Sequence, residues 1–192
     1  MIRSLWDTVE VGGEPAGRLL FVDDDVSLLD LFERMLRNQP WEGHFCTNVD
    51  DAIAYLASNE VDTVIADIRM PGRDGFELLT EIRADERTRQ IPVIILTGDS
   101  DRALKRRALD LGATDLLNKP IGREDLFARI RSALRLKQFE DRLSNQVEEL
   151  DFRVRQRTRQ LEASHREIVW RLAKAAEYRD DLSLIHISEP TR

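Results

Sequence analysis

Five short apolar runs, each followed by an amphipathic stretch, constrain this chain more than any other feature in it. "RLLFV" precedes "VSLLDLFERMLRN", "HFC" precedes "DDAIAYLASN", and "DTVIAD" precedes "DGFELLTEIRA". "IPVIILT", the clearest strand pattern of the set, precedes "DRALKRRALDLGA", which closes on a Gly C-cap signal. "DLLN" precedes "REDLFARIRSALRL". Apolar runs this short and continuous suit buried strands, and the intervening spacing suits helices. Their regular alternation predicts a parallel sheet with helices on both faces. Because crossovers are right-handed, the expected architecture is a doubly wound α/β fold of five βα units.

The fifth helical pattern does not stop where the others do. From Arg123 to Asp180 there is neither Pro nor Gly, so a helix there could extend roughly 85 Å, at about 1.5 Å per residue. Val147, Val154, Leu161 and Ile168 recur at sevens, with Leu136, Leu143 and Leu150 on the companion positions. β-branched Val147, Val154 and Ile168 in the first set and Leu in the second describe a coiled-coil seam that favours a parallel homodimer. Arg157, Ser164 and Arg171 then fall on companion positions, so the seam weakens toward the C-terminus. A helix folded back on its own domain is the alternative; length and charge balance favour the dimer. The chain therefore divides into a leader (1–17), an α/β domain (18–135), a long helix (136–181) and a tail (182–192).

Charge separates along the same boundary. Between Lys137 and Asp181 ten basic residues face ten acidic ones, and Glu189 and Arg192 cancel, so the net charge of −7 resides in the first 136 residues. An acidic domain with no basic patch is a poor nucleic-acid binder but suits a cation site. No apolar run approaches a bilayer span, and "MIRSLWDTVEVGGEPAG" lacks the apolar core of a signal peptide, so a cytoplasmic location away from the membrane is expected. The lone Cys46 is read as a small core residue, and His44 and His186 have no ligand-spaced partners for zinc.

In a doubly wound sheet, ligands bind at the carboxyl ends of the strands. The polar residues there are Asp23, Asp24 and Asp25 after the first strand, Asp67 after the third, Thr97 after the fourth, and Lys119 with Pro120 after the fifth. Each has an ordinary reading: an Asp run is a turn and helix cap, with Asp25 the expected N-cap, and a Lys-Pro pair is a turn. Their convergence on one sheet edge carries the chemistry. Several carboxylates there would repel one another unless a Lys or a cation neutralises them. Mg²⁺ suits such a place, since it takes one or two carboxylates and keeps waters and phosphate oxygens.

"LLFVDDD", "VIADIRMPGRDGFELL", "VIILTGDS" and "LLNKP" together resemble the receiver domain of two-component response regulators, over about residues 18–135. The resemblance implies a flavodoxin-like fold and makes Asp67 the phosphoacceptor, with Thr97 and Lys119 acting on the phosphoryl group. It implies Mg²⁺ bound by the carboxylates of Asp24 and Asp67, by Asp23 through water, and by the backbone carbonyl of Arg69. A sensor histidine kinase or phosphotransfer protein is the implied partner. One departure stands out: Leu116 occupies the position where the family usually has Tyr or Phe, so an aromatic ring cannot report the switch here. Arg69 and Asp99 occupy positions that in the family tune acyl-phosphate hydrolysis.

"ASHREIV" partly resembles a histidine-kinase phosphorylation helix, but Arg166 follows His165 and no Pro closes the motif, so His165 is read as a solvated helical residue. "RTRQLEASHREIVWRLAKAAEYRDD" resembles the junction helix of response regulators whose output is an HD-GYP domain, a metal-dependent cyclic-di-GMP phosphodiesterase; an ordinary amphipathic linker is the alternative. In that family the helix leads into Glu-Thr-Gly-x-His. Here "LSLIHISEPTR" follows, which resembles the translation of a transposase-type sequencing adapter, so residues 182–192 are expected to be read-through ahead of an absent effector. No effector catalysis is expected of the chain as it stands. A receiver of a GGDEF-type diguanylate cyclase regulator and a non-enzymatic adaptor or transcription regulator remain the alternatives.

Overall fold

The computed structural model of the chain describes residues 15–98 and 102–187; the leader before Pro15, Asp99 and the tail beyond Ile187 lie outside the described residues. Strand and helix alternate as the sequence predicts: β1 (Gly17–Val22), α1 (Val26–Leu36), β2 (Trp41–Cys46), α2 (Val49–Ser58), β3 (Thr63–Asp67), α3 (Gly75–Ala84), β4 (Val93–Thr97), α4 (Arg102–Asp110), β5 (Asp115–Asn118) and α5 (Arg123–Ile187). The strands form one parallel sheet in the order β2-β1-β3-β4-β5. The chain steps from β1 outward to β2, then returns past β1 to β3. That reversal opens a crevice at the carboxyl ends of β1 and β3.

Period-two alternation along the strands builds two cores. Leu19 and Phe21 of β1, Ile65 of β3, and Ile94 and Leu96 of β4 face α1 and α5, meeting Phe32, Leu126 and Ile130. Leu20 and Val22, Val64 and Ala66, and Val93 and Ile95 face the other way, onto Leu56 of α2, Phe76 and Leu79 of α3, and Ala108 of α4. Each fully buried Leu, Ile or Phe contributes about 1.5–3 kcal/mol relative to exposure, so the sheet is anchored from both sides. Cys46 is part of the second core; burial, aided by the charge of Asp51, pushes its thiol up to about 11 and leaves it inert.

Helix starts are fixed by side chains. Asp25 Oδ1 accepts from the Ser27 and Leu28 N–H groups at 2.9 and 3.4 Å, the N-cap role its position predicts. Asn48 caps α2 and Asp74 caps α3 in the same way, at 2.8 and 2.9 Å. After α4, Gly112 turns the chain with φ of 94°, a left-handed conformation in which a side chain would be strained.

Two elements run further than the sequence indicates. β2 begins at Trp41 rather than at "HFC" and pairs with the whole of β1, from Gly17 opposite Trp41 to Val22 opposite Cys46. α5 continues past Asp181 to Ile187. The chain divides into two compact units, Met1–Asp141 and Arg142–Arg192. In the first, α5 gives Leu126, Ile130, Ala133 and Leu134 to the core. In the second, α5 leaves Leu143, Val147, Leu150, Val154, Leu161 and Ile168 exposed, and carries i,i+4 ion pairs between Glu149 and Arg153 and between Glu167 and Arg171, both at 2.5 Å. No helix among the described residues is long and apolar enough to cross a membrane.

Candidate functional site

The crevice between β1 and β3 is where buried charged groups gather. Asp23 directly follows β1 and Asp67 ends β3, and both are buried, at 1% and 6% exposed. Lys119, one residue past β5, reaches across two strands to lie between them. Its Nζ is 2.7 Å from Asp23 Oδ2 and 2.8 Å from Asp67 Oδ1. The second oxygen of each carboxylate accepts from the backbone N–H two residues on, Asp25 for Asp23 at 2.9 Å and Arg69 for Asp67 at 2.8 Å. Each Asp is thus gripped on one side by its own loop and on the other by the ammonium.

One formal positive charge between two carboxylates leaves the cluster negative. Burial alone would pull the Lys119 ammonium down, but hydrogen bonds to Asp23 and Asp67 and their charges outweigh it, so its pKa stands above its usual value. Lys119 is therefore a fixed cation at neutral pH. Its backbone N–H donates to the Thr97 carbonyl at 2.7 Å, and the peptide bond to Pro120 is cis. Thr97 ends β4, is 2% exposed and lies level with Asn118 of β5, which places its backbone beside Lys119.

Asp24 is exposed and lines an open depression of about 560 Å³ together with Ile68, Arg69, Asp74, Phe76 and Arg107. The sequence grouped Asp23, Asp24 and Asp67 as possible metal ligands. Among the described residues no three acidic, His or Cys side chains form a ready-made metal cage. Lys119 lies between Asp23 and Asp67, within 2.7 and 2.8 Å of one oxygen of each. A hard divalent ion satisfied by one or two carboxylates, with water completing its shell, fits this donor set; a site requiring a closed protein cage does not. Leu116 is half-buried, pairs in register with Ile95 and packs against the core on the α4 side, as a plain aliphatic residue.

Three supporting residues escape a reading of the sequence. A Cβ on Gly75 would collide with the Asp67 carbonyl oxygen, so Gly is what lets α3 start against the Asp67 backbone. Arg73, in the loop after Asp67, donates to Asp50 of α2 at 2.9 Å and also pairs with Glu77 and Glu81 of α3, tying that loop to two helices. Arg107 of α4 lies over the Phe76 ring, 4.2 Å from its centroid, at the rim of the depression. The "DG" pair of residues 74–75 was the one local signal available for any of these.

The family model described as "Response regulator receiver domain" matches residues 19–131. The chain is 32% identical over 164 residues to the cyclic di-GMP phosphodiesterase response regulator RpfG of Xanthomonas campestris, covering 84% of this chain and 43% of the relative. It is 36% identical over 128 residues to the response regulator PleD of Caulobacter vibrioides, covering 67% of this chain and 28% of the relative. It thus spans less than half the length of either curated relative. Among solved structures, the signal receiver domain of an HD domain-containing protein from Pseudomonas fluorescens superposes with a TM-score of 0.62 at 31% identity, over 71% of this chain and 98% of that one.

Proposed function

The chain belongs to the response regulator receiver domain family of two-component signalling, and from that premise we propose that Asp67 is its phosphoacceptor in the cytoplasm. The observation carrying this reading is the Lys119 ammonium held 2.7 and 2.8 Å from two buried carboxylates at the strand-order reversal. Receiver domains of this kind take their phosphoryl group from a histidine kinase or a phosphotransfer protein. An Asp67 carboxylate oxygen attacks the phosphorus of a phosphohistidine; the P–O bond forms, the P–N bond breaks, and the imidazole leaves with the electron pair and takes up a proton. The product is a mixed acyl phosphate.

Lys119 is already within hydrogen-bonding distance of the Asp67 oxygen, so its charge meets the phosphoryl oxygens without reorganisation. Asp24 and Asp67, with Asp23 through water and the Arg69 carbonyl, are the groups that would hold Mg²⁺, which when bound offsets charge on the phosphoryl oxygens. The Thr97 hydroxyl turns toward the new phosphoryl group and hydrogen-bonds it. That motion draws on β4 and β5, whose ends are joined through the Thr97 carbonyl and the Lys119 N–H. With Leu116 in place of an aromatic residue, β5 reports the change through aliphatic packing.

The exposed apolar residues of α5 support a homodimer through this helix, and the helix relays the state to an effector. The relative named as a cyclic di-GMP phosphodiesterase response regulator and the receiver domain of an HD domain-containing protein favour an HD-GYP phosphodiesterase as that effector; the coding sequence beyond the Asp181 codon decides this. The phosphoryl-transfer reading is tested by incubating the chain with a small acyl phosphate and Mg²⁺. One phosphoryl group should be gained per chain, and none when a chelator is present or in Asp67→Asn. Undiminished labelling of Asp67→Asn would sink it.

A further inference from the structure

The exposed apolar residues of α5 change their spacing part-way along the second unit. Leu143, Val147, Leu150 and Val154 follow one another at steps of four, three and four, and all are 46–62% exposed. Continuing that alternation puts Arg157, Ser164 and Arg171 on the seam with Leu161 and Ile168. Two arginines at interior positions are costly, because each guanidinium there gives up its hydration on burial. Taking a second step of four after Val154 gives Thr158, Leu161, His165, Ile168 and Leu172 instead, and each of these is also exposed. An insertion of four residues into a heptad pattern is accommodated by local unwinding of the supercoil, so the seam continues without a break.

Charges agree with the shifted frame. In it Arg157 and Glu162 flank the seam five residues apart, the separation at which side chains of two parallel, in-register helices meet across their interface. Arg171 also moves to the flank, where Glu167 on its own helix already pairs with it at 2.5 Å. In an antiparallel pair like flanks face each other, and the flank bearing Arg157, Ser164 and Arg171 would meet itself. The complementarity therefore selects a second copy of this chain, aligned in parallel.

We propose that α5 pairs with α5 of a second copy through a seam that shifts frame between Val154 and Leu161, seating Thr158, His165 and Leu172 at the interface and Arg157 of one copy against Glu162 of the other. This deepens the dimer reading above and rests on it. His165, otherwise a solvated helical residue, becomes an interface residue. The frame change also sets the rotational phase in which anything after the helix is presented.

Cysteine cross-linking of the full chain in a Cys46→Ala background separates the possibilities. Single cysteines are placed at one frame (Thr158→Cys, His165→Cys, Leu172→Cys), at the other (Arg157→Cys, Ser164→Cys, Arg171→Cys), and at Leu150→Cys, which both frames share. Under mild oxidation the first set should form disulfide dimers as fast as Leu150→Cys, and the second set several-fold more slowly. Arg157→Glu should weaken the dimer, and Arg157→Glu with Glu162→Arg should restore it. The reverse cross-linking pattern would overturn the frame shift while leaving a dimer. A Leu150→Cys chain that does not cross-link and sediments as a monomer would overturn the dimer and the shift together.

Discussion

Without the Lys119 ammonium, Asp23 and Asp67 would face each other across the crevice with nothing between them. Lys119→Ala should destabilise the fold at neutral pH by about 1–3 kcal/mol, below the range for breaking a fully buried pair because the Lys119 side chain retains some solvent contact. Added Mg²⁺ should recover part of that loss; urea denaturation reads both. The pH dependence from Lys119 itself has a fixed sign. Its pKa is raised on folding, so its contribution is complete below the ordinary value of 10.5 and is lost only as pH rises through the raised value. The native chain should therefore shed this increment only in alkali. At this scale the sequence is informative about placement: Asp23, Asp67, Thr97 and Lys119 all lie at or just past strand ends, as their positions after apolar runs predict. The roles of Gly75 and Arg73 are not legible in it, since a close approach to the Asp67 carbonyl and ion pairs to Asp50 and Glu81 arise only once separate segments are packed.

Elements hold their places at the opposite edge of the sheet through Arg83, near the end of α3. Its guanidinium donates to the Gly112 carbonyl at 2.7 and 3.0 Å, and to those of Arg89 and Ile91, both at 2.9 Å. Burial lowers its pKa, with Glu140 opposing, yet a guanidinium keeps its proton in a protein. One side chain thus fastens the loops leading into β4 and β5. Arg83→Met should cost about 1–3 kcal/mol in urea denaturation through the carbonyls left without donors, while phosphorylation at Asp67 in the folded chain is kept. The alternation of strands and helices is legible because period-two and helical spacing differ sharply. Element ends are less so. Trp41 joins β2 because it packs edge-on against Phe127 of α5, ring centroids 5.3 Å apart, a contact between distant parts of the chain that "WEG" does not announce. α5 passes Asp181 because a change of composition is not a stop signal, and no Gly or Pro interrupts "LSLIHI".

On the scale of the whole molecule, the acidic α/β unit and the charge-balanced helix divide the work. The first gathers negative charge at one sheet edge, the place proposed above for a cation and a phosphoryl group; the second exposes apolar residues, the seam proposed above for pairing with another chain. The account's central claim is that a single carboxylate, Asp67, carries the phosphoryl group. Reducing the phosphorylated chain with borohydride converts an acyl phosphate to an alcohol, and peptide mapping then locates the altered residue. The account predicts one altered residue, Asp67, with Asp23 and Asp24 intact. Reduction at either of those carboxylates, or a phosphoryl group on a residue that borohydride leaves untouched, would contradict it.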